Sequence, residues 1–467
     1  MTQPSNQKHT DSQIKKKIHQ TFKVYIEHVI KYLKENDSVR KIKHLDIHSN
    51  SKDKIEHLEN GEEFSNLIDD SMKIDSPFVK SQFLGGSEGE WGYATKNFFR
   101  RSHCYADILS NNVIDQEKLF EQFLESFKNK QTQISYYALI EFVYFPKKIL
   151  DFDSFKICSL SKSELDEIFS NPINEMFYPY AKIDSGTLQN YWFACVTKNK
   201  VFEKESLDTD SKVRFKHSAF TKEIELVMKK LALYDWQCFG QDSKFWMSPE
   251  IPYVFSVNDN LLSSPLPNVF DYRQLSTDSV FDPYTGEELG QSPIIIFHLD
   301  EEFERFICKI ENTFKILKNN INLNFIDNAL GHFIKAFFAN GIEELLWHIS
   351  AIEALLGSKS SGLTSSLARR SALLIEKKPE NRIKIYKAFK KLYDFRSNLV
   401  HGNPDIVNEK NHPNFEHLYN AHNISRQVML WFLEYVSHNI KKFENLSSEK
   451  VRDKICEIID LEPEKII

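Results

Sequence analysis

The chain has 467 residues, of which 41% are hydrophobic and 27% charged, with a formal net charge of −6. That length exceeds a typical single domain, so two or three are expected. The acid excess excludes binding of polyanions over the whole surface and leaves room only for a local basic patch.

Residues 1–11 are polar, have no apolar core of a signal peptide, and read as disordered. Six cysteines (Cys104, Cys158, Cys195, Cys238, Cys308 and Cys456) are scattered without a Cys-x-x-Cys pair. They read as isolated reduced thiols of an intracellular protein, with the cytoplasm as the expected compartment. No apolar run is long enough to span a bilayer, so no membrane partner is expected. No metal-ligand spacing stands out, and neither a metal nor another cofactor is predicted.

Ser12 to about Asn36 carries Ile18, Phe22, Tyr25, Ile26, Val29, Ile30 and Leu33 at helical spacing. Asn50 to about Ser76 is polar and reads as a loop or weak helix. The Gly-dense stretch Gly85–Gly92 lacks the Lys-Ser/Thr ending of a phosphate loop and carries two carboxylates, so it reads as a surface loop. Asp115–Asn129 is predicted helical. Ile134–Phe145, Phe155–Leu160 and Tyr191–Thr197 are rich in β-branched and aromatic residues and predict strands. A helix is expected over Thr221–Tyr234, then strands over Tyr253–Leu262 and Pro293–His298.

After Asp300 the periodicity becomes helical throughout. Helices are predicted over Glu301–Asn319, Phe325–Phe338, Gly341–Leu356, Gly362–Ile375, Pro379–Val400 and Asn414–Lys442. Pro379 suits a first helical turn, and Gly402 and Pro404 suit a stop. The predicted fold class is an α+β N-terminal region followed by an all-α helical bundle. Boundaries are placed at 1–76 (helix and polar loop), 77–299 (mixed sensor or regulatory region), 300–324 (connector helix), 325–445 (bundle) and 446–467 (tail helix).

Tyr393–Gly402 (YDFRSNLVHG) ends the Pro379 helix and holds the candidate chemistry. An Arg followed by four to six residues and then a His arises by chance for about a tenth of arginines, so the spacing alone has little weight. Its setting adds more. Arg396 lies on the apolar face with Leu392 and Leu399 and must find an anion, for which Glu353 is the candidate. His401 sits at a helix C-terminus, where the dipole favours its protonated form. From Arg369 to His401 there are ten Lys/Arg and three Asp/Glu, a local +7 inside an acidic chain. Arg369, Arg370, Lys387 and Lys391 are the candidates for a phosphate backbone. The bland readings are a structural ion pair, a capping His and a solvated basic face.

Gly341–Gly357 (GIEELLWHISAIEALLG), Leu363–Ile375 (LTSSLARRSALLI) and Tyr393–Gly402, in that order, resemble an Apea-like HEPN domain over residues 325–442. The first 290 residues resemble the mixed regions that precede such domains. The resemblance implies a metal-independent endoribonuclease, usually a homodimer, of the kind found among toxins and antiphage-defence effectors. By position Arg396 and His401 would be catalytic and Ser397 the polar motif residue, with Asn398 and Glu353 supporting. RNA would be the partner, with tRNA a plausible target. Relatives with degenerate motifs serve as non-catalytic interaction or nucleotide-binding modules, which is the alternative here.

Five residues along a helix rotate about 500°, which points Arg396 and His401 about 140° apart. Two escapes follow: a helix end loosened at Gly402, or a symmetric dimer that apposes two motifs.

Overall fold

The computed structural model describes residues 11–35, 50–77, 79, 87–109, 112–169, 185–201, 221–239, 244–246, 249–262, 267–269, 275–320, 323–357, 363–400 and 414–461. Among these, no helix is long and apolar enough to cross a membrane.

Helix α1 (Asp11–Glu35) buries the predicted face, from Ile18 to Leu33. The stretch expected to be a loop or weak helix forms two helices, α2 (Asn50–Leu58) and α3 (Glu62–Ser71). Few apolar residues are present, but Ile55, Leu58, Phe64, Leu67 and Ile68 fall at helical spacing and are all buried.

The expected Gly-rich surface loop is also corrected. From Glu88 it is helical, as α4 (Glu88–Arg101). The Glu90 carboxylate accepts the Ser87 N–H at 2.6 Å, so one of the carboxylates that argued against phosphate is a helix cap. Trp91 is buried and stacks on Phe127 at 4.9 Å. Gly85 and Gly86 lie outside the described residues. Helices α5 (Cys104–Leu109) and α6 (Gln116–Lys128) follow.

These six helices close on one aromatic core built from Phe22, Phe64, Phe98, Phe99, Phe120 and Phe123. Glu59 sits inside it with its side chain fully covered, and Arg100 holds it through two bonds of 2.9 and 2.5 Å. The packing therefore runs from residue 11 to 128, across the boundary expected at 76/77.

The mixed region begins with β1 (Gln131–Ile140), β2 (Phe142–Tyr144), β3 (Ile149–Asp151) and β4 (Lys156–Ser159). Helices α7 (Lys162–Phe169) and α8 (Ser185–Leu188) precede β5 (Trp192–Val201) and α9 (Lys222–Leu231). Strands β6 (Gln237–Phe239), β7 (Lys244–Trp246), β8 (Tyr253–Asn258), β9 (Pro267–Val269), β10 (Thr277–Phe281), β11 (Glu288–Pro293) and β12 (Ile295–His298) complete it. Six strands form an antiparallel sheet in the order β3-β4-β5-β1-β8-β9.

The single strand expected over Ile134–Phe145 is two. Phe142 takes φ 68°, a left-handed conformation that a bulky side chain rarely adopts, and breaks the run. Beyond the break β2 leaves the six-stranded sheet and pairs in parallel with β12. Glu141, 1% exposed at the break, accepts the Ser276 N–H at 2.6 Å.

The bundle comprises α10 (Glu301–Asn320), α11 (Asn324–Phe337), α12 (Ile342–Leu356), α13 (Leu363–Ile375), α14 (Pro379–Val400), α15 (Phe415–His438) and α16 (Ser448–Leu461). The last long helix was expected to reach Lys442. It stops at His438, and a 3-10 turn covers Ile440–Lys442.

Alternation along β1 and β5 gives the sheet two buried faces. One carries Leu139, Phe193 and Phe255 under α7 and α8. The other, with Tyr136, Ala138, Ile157 and Ala194, belongs to an apolar core that continues without a break into the bundle, as far as Ile459. The expected connector helix α10 is part of that core through Phe303, Ile307, Ile310 and Leu317. A buried ion pair, Lys230 Nζ to Glu311 Oε1 at 2.6 Å, ties α9 to α10. Glu311 also accepts the Asp153 N–H at 2.7 Å, which anchors the β3–β4 turn. The expected tail helix α16 is integral too, burying Val451, Ile455, Cys456 and Ile459.

Candidate functional site

Helix α14 carries the candidate residues. Glu376 starts it by accepting the backbone N–H groups of Lys377 and Lys378 at 2.8 and 3.1 Å, which holds its carboxyl below the usual range. Phe389, Leu392 and Tyr393 then form the buried stripe. Arg396 is one turn beyond Leu392 on the same face, with 29% of its side chain exposed.

Across from it lies α12. Arg396 Nη2 donates to Glu353 Oε2 at 3.4 Å, and Tyr393 Oη donates to Glu353 Oε1 at 2.8 Å. The Arg396 guanidinium also lies 5.4 Å from the centroid of the Tyr393 ring. The carboxylate expected as the partner of Arg396 is thus the observed one, and Tyr393 is an addition. Burial, and then Glu353, push the Tyr393 phenol up, so it is a fixed donor at neutral pH. The contact to Arg396 is long and uses one nitrogen of a five-donor group. A guanidinium held this loosely at a helix end can turn part of its fork toward a phosphate.

The helix that carries Glu353 ends one turn later, at Gly357. Gly357 N donates to Glu353 O at 2.8 Å, and a Cβ at Gly357 would fall 2.4 Å from that same oxygen. Only glycine fits this close approach.

The other predicted residues fall as follows. Ser397 is half-buried and Asn398 exposed, on the last turn of α14. The helix is regular through Val400, and His401 lies outside the described residues. Lys387 and Lys391 are exposed on α14.

Arg370 is corrected. It was expected to face RNA, but only 6% of its side chain is exposed. It donates to Asp460 of α16 at 3.0 and 2.6 Å and to the Leu356 carbonyl at 2.5 Å. A buried cation has to satisfy its donors inside the protein, and this one has done so. Arg369, about half-exposed, pairs with the same Asp460.

Two groups of residues escaped the sequence reading. His417, at the start of α15, packs its ring 4.6 Å from Phe395, the neighbour of Arg396. Its Nδ1 accepts the Asn414 N–H at 3.1 Å and Asn414 returns the bond. Burial, helped by Lys391, lowers its pKa. The Asn-x-x-His spacing of a capping box was the available signal.

The second group is a buried polar cluster between α12 and α15. His348 Nδ1 meets Ser425 Oγ at 2.8 Å, and Ser425 spends its proton on the His422 carbonyl at 2.9 Å. With Nδ1 engaged by Ser425, the other ring nitrogen of His348, Nε2, faces Glu344 one turn back on α12. That nitrogen lies 3.9 Å from Glu344 Oε1. Burial pushes the Glu344 carboxyl up to about 7 and His348 down to about 3. Both are therefore largely neutral near pH 6. The reasoning that singled out Glu353, a polar residue on an apolar helix face, applies equally to Glu344 and His348.

Compared with family models, curated proteins and solved structures, the chain matches none.

Proposed function

We propose that the chain is a metal-independent endoribonuclease of HEPN type, acting as a toxin or antiphage-defence effector. The observation that carries this reading is Arg396. It is poised on Glu353 and Tyr393 in the last turns of a lysine-rich helix, five residues before His401. The order of motifs in the sequence supports it independently.

RNA brings its own nucleophile, the 2′-OH. His401 takes or returns the proton, and Arg396 neutralises the pentavalent phosphate. The 2′-oxygen bonds to phosphorus as the 5′-oxygen leaves. The products are a 2′,3′-cyclic phosphate and a 5′-OH. One His cannot serve both proton roles in a single step, so the reading includes a symmetric dimer with the two α14 ends at its seam. Val400, 57% exposed at that end, suits an interface.

His401→Ala should abolish cleavage of cellular RNA in EDTA and leave the unfolding curve unchanged. Undiminished cleavage by this variant sinks the assignment. The rival reading is a non-catalytic interaction module, and the Glu353–Arg396 pair is the observation that favours it. In that case wild type and His401→Ala are equally harmless when expressed.

A further inference from the structure

Two of the scattered cysteines meet. Cys158 on β4 and Cys195 on β5 are 37 residues apart in sequence, yet their Sγ atoms are 3.3 Å apart. The register explains this. Cys158 is opposite Phe193, and Lys156 is opposite Cys195. The two thiols are therefore diagonal neighbours on one face of the sheet. Cys104, Cys308 and Cys456 are single thiols elsewhere, two buried and one exposed.

We propose that Cys158 and Cys195 are a redox-responsive dithiol that a peroxide converts reversibly to an intrachain disulfide. Three observations support this. The sulfurs need to close by only about 1.2 Å to reach bonding distance. Strand β4 lies one place from the sheet edge, with the three-residue β3 outside it, so it can shift to close the diagonal. The two thiols are also differentiated: the hydrogen bond between them favours the Cys158 thiolate and, with burial, holds Cys195 protonated, while the Lys156 ammonium opposite Cys195 favours the thiolate at either sulfur. This is the division between an attacking and a resolving thiol.

The chemistry balances with hydrogen peroxide as oxidant. The Cys158 thiolate attacks one peroxide oxygen; an S–O bond forms, the O–O bond breaks and hydroxide leaves. Cys195 sulfur then attacks the sulfenic sulfur; the S–S bond forms, the S–O bond breaks, and the thiol proton leaves with the oxygen. Two thiols and one peroxide give one disulfide and two waters. The inference does not depend on the ribonuclease reading.

The test uses the full chain under native conditions. It is exposed to graded hydrogen peroxide, alkylated, digested without reductant and analysed by mass spectrometry. A linked peptide pair joining residues 158 and 195 should accumulate before exposed Cys308 is appreciably oxidised, and dithiothreitol should remove it. Cys195→Ser should leave Cys158 as a sulfenic acid that dimedone captures. If Cys308 is oxidised while 158 and 195 stay reduced, or if the link forms only in urea, the proposal is overturned. Both of those outcomes are read on the wild-type chain, so a poorly folding variant does not blunt the test.

Discussion

Arg370→Ala is the sharpest test of how the basic residues divide. The side chain loses two bonds to Asp460 and one to the Leu356 carbonyl, all within a site where 6% of the arginine is exposed. Removing one partner of a buried ion pair costs about 3–5 kcal/mol, because the other charge is stranded. Asp460 is 26% exposed and regains some hydration, which places the expected loss near the lower end, at about 3 kcal/mol. Arg369→Ala, on the same carboxylate but with a side chain 48% exposed, should cost under about 1 kcal/mol. Urea unfolding of the two variants beside wild type measures the difference directly. Arg370→Ala should also leave the salt dependence of RNA binding unaltered, since this cation is not offered to phosphate. Equal losses for the two variants, or a loss below about 1 kcal/mol for Arg370→Ala, would refute the assignment of Arg370 to the fold.

Lys387→Ala/Lys391→Ala should weaken RNA binding and reduce the slope of log K against log salt by about 1.4, as expected for two lost phosphate contacts to a single strand. An unchanged slope in filter binding places the RNA elsewhere. A pH effect follows from Glu344. Its folded pKa of about 7 is raised above the ordinary 4.5, so the stability it contributes is full below pH 4.5 and is lost as pH rises through 7. The loss is up to about 3 kcal/mol at 1.36 kcal/mol per pKa unit. Glu344→Gln should match wild type near pH 4.5 and be more stable by up to that amount at pH 8, read by thermal unfolding across pH. His348 has the opposite sign: its lowered pKa contributes stability above pH 6.5 that is lost as pH falls toward 3, in both proteins. Parallel curves for wild type and Glu344→Gln would contradict the buried-acid account.

The helical half was largely legible because its apolar residues recur at 3.6-residue spacing, Pro379 marks the start of α14 and Gly357 the end of α12. Glu353 was legible as the partner of Arg396 because both intrude on apolar faces. Tyr393 was not, since an aromatic on such a face reads as core and its hydroxyl is invisible to periodicity. Arg370 was misread because the compensating Asp460 lies 90 residues away on a helix that reads as a tail. The strand break at Phe142 could not be foreseen, since a positive φ at phenylalanine is imposed by its surroundings. The thiol pair was hidden for a similar reason. Register across two strands, not spacing along one, brings Cys158 and Cys195 together.

The unbroken core shared by the sheet and the bundle bears on how such a chain can be built or rebuilt. A cut near residue 300 would pass between surfaces that are packed on each other, exposing Phe297 and Phe303 together with the Lys230–Glu311 pair. The bundle is therefore not a cassette that can be lifted out and fused elsewhere. Residues 11–128 do not separate cleanly either: their aromatic core takes in buried Leu262, Asn97 donates to the Leu262 carbonyl at 3.0 Å, and Asn260 donates to the Ser126 carbonyl at 2.9 Å. Recombination that exchanged the front helices would have to bring the segment after β8 with them, so the two are inherited together.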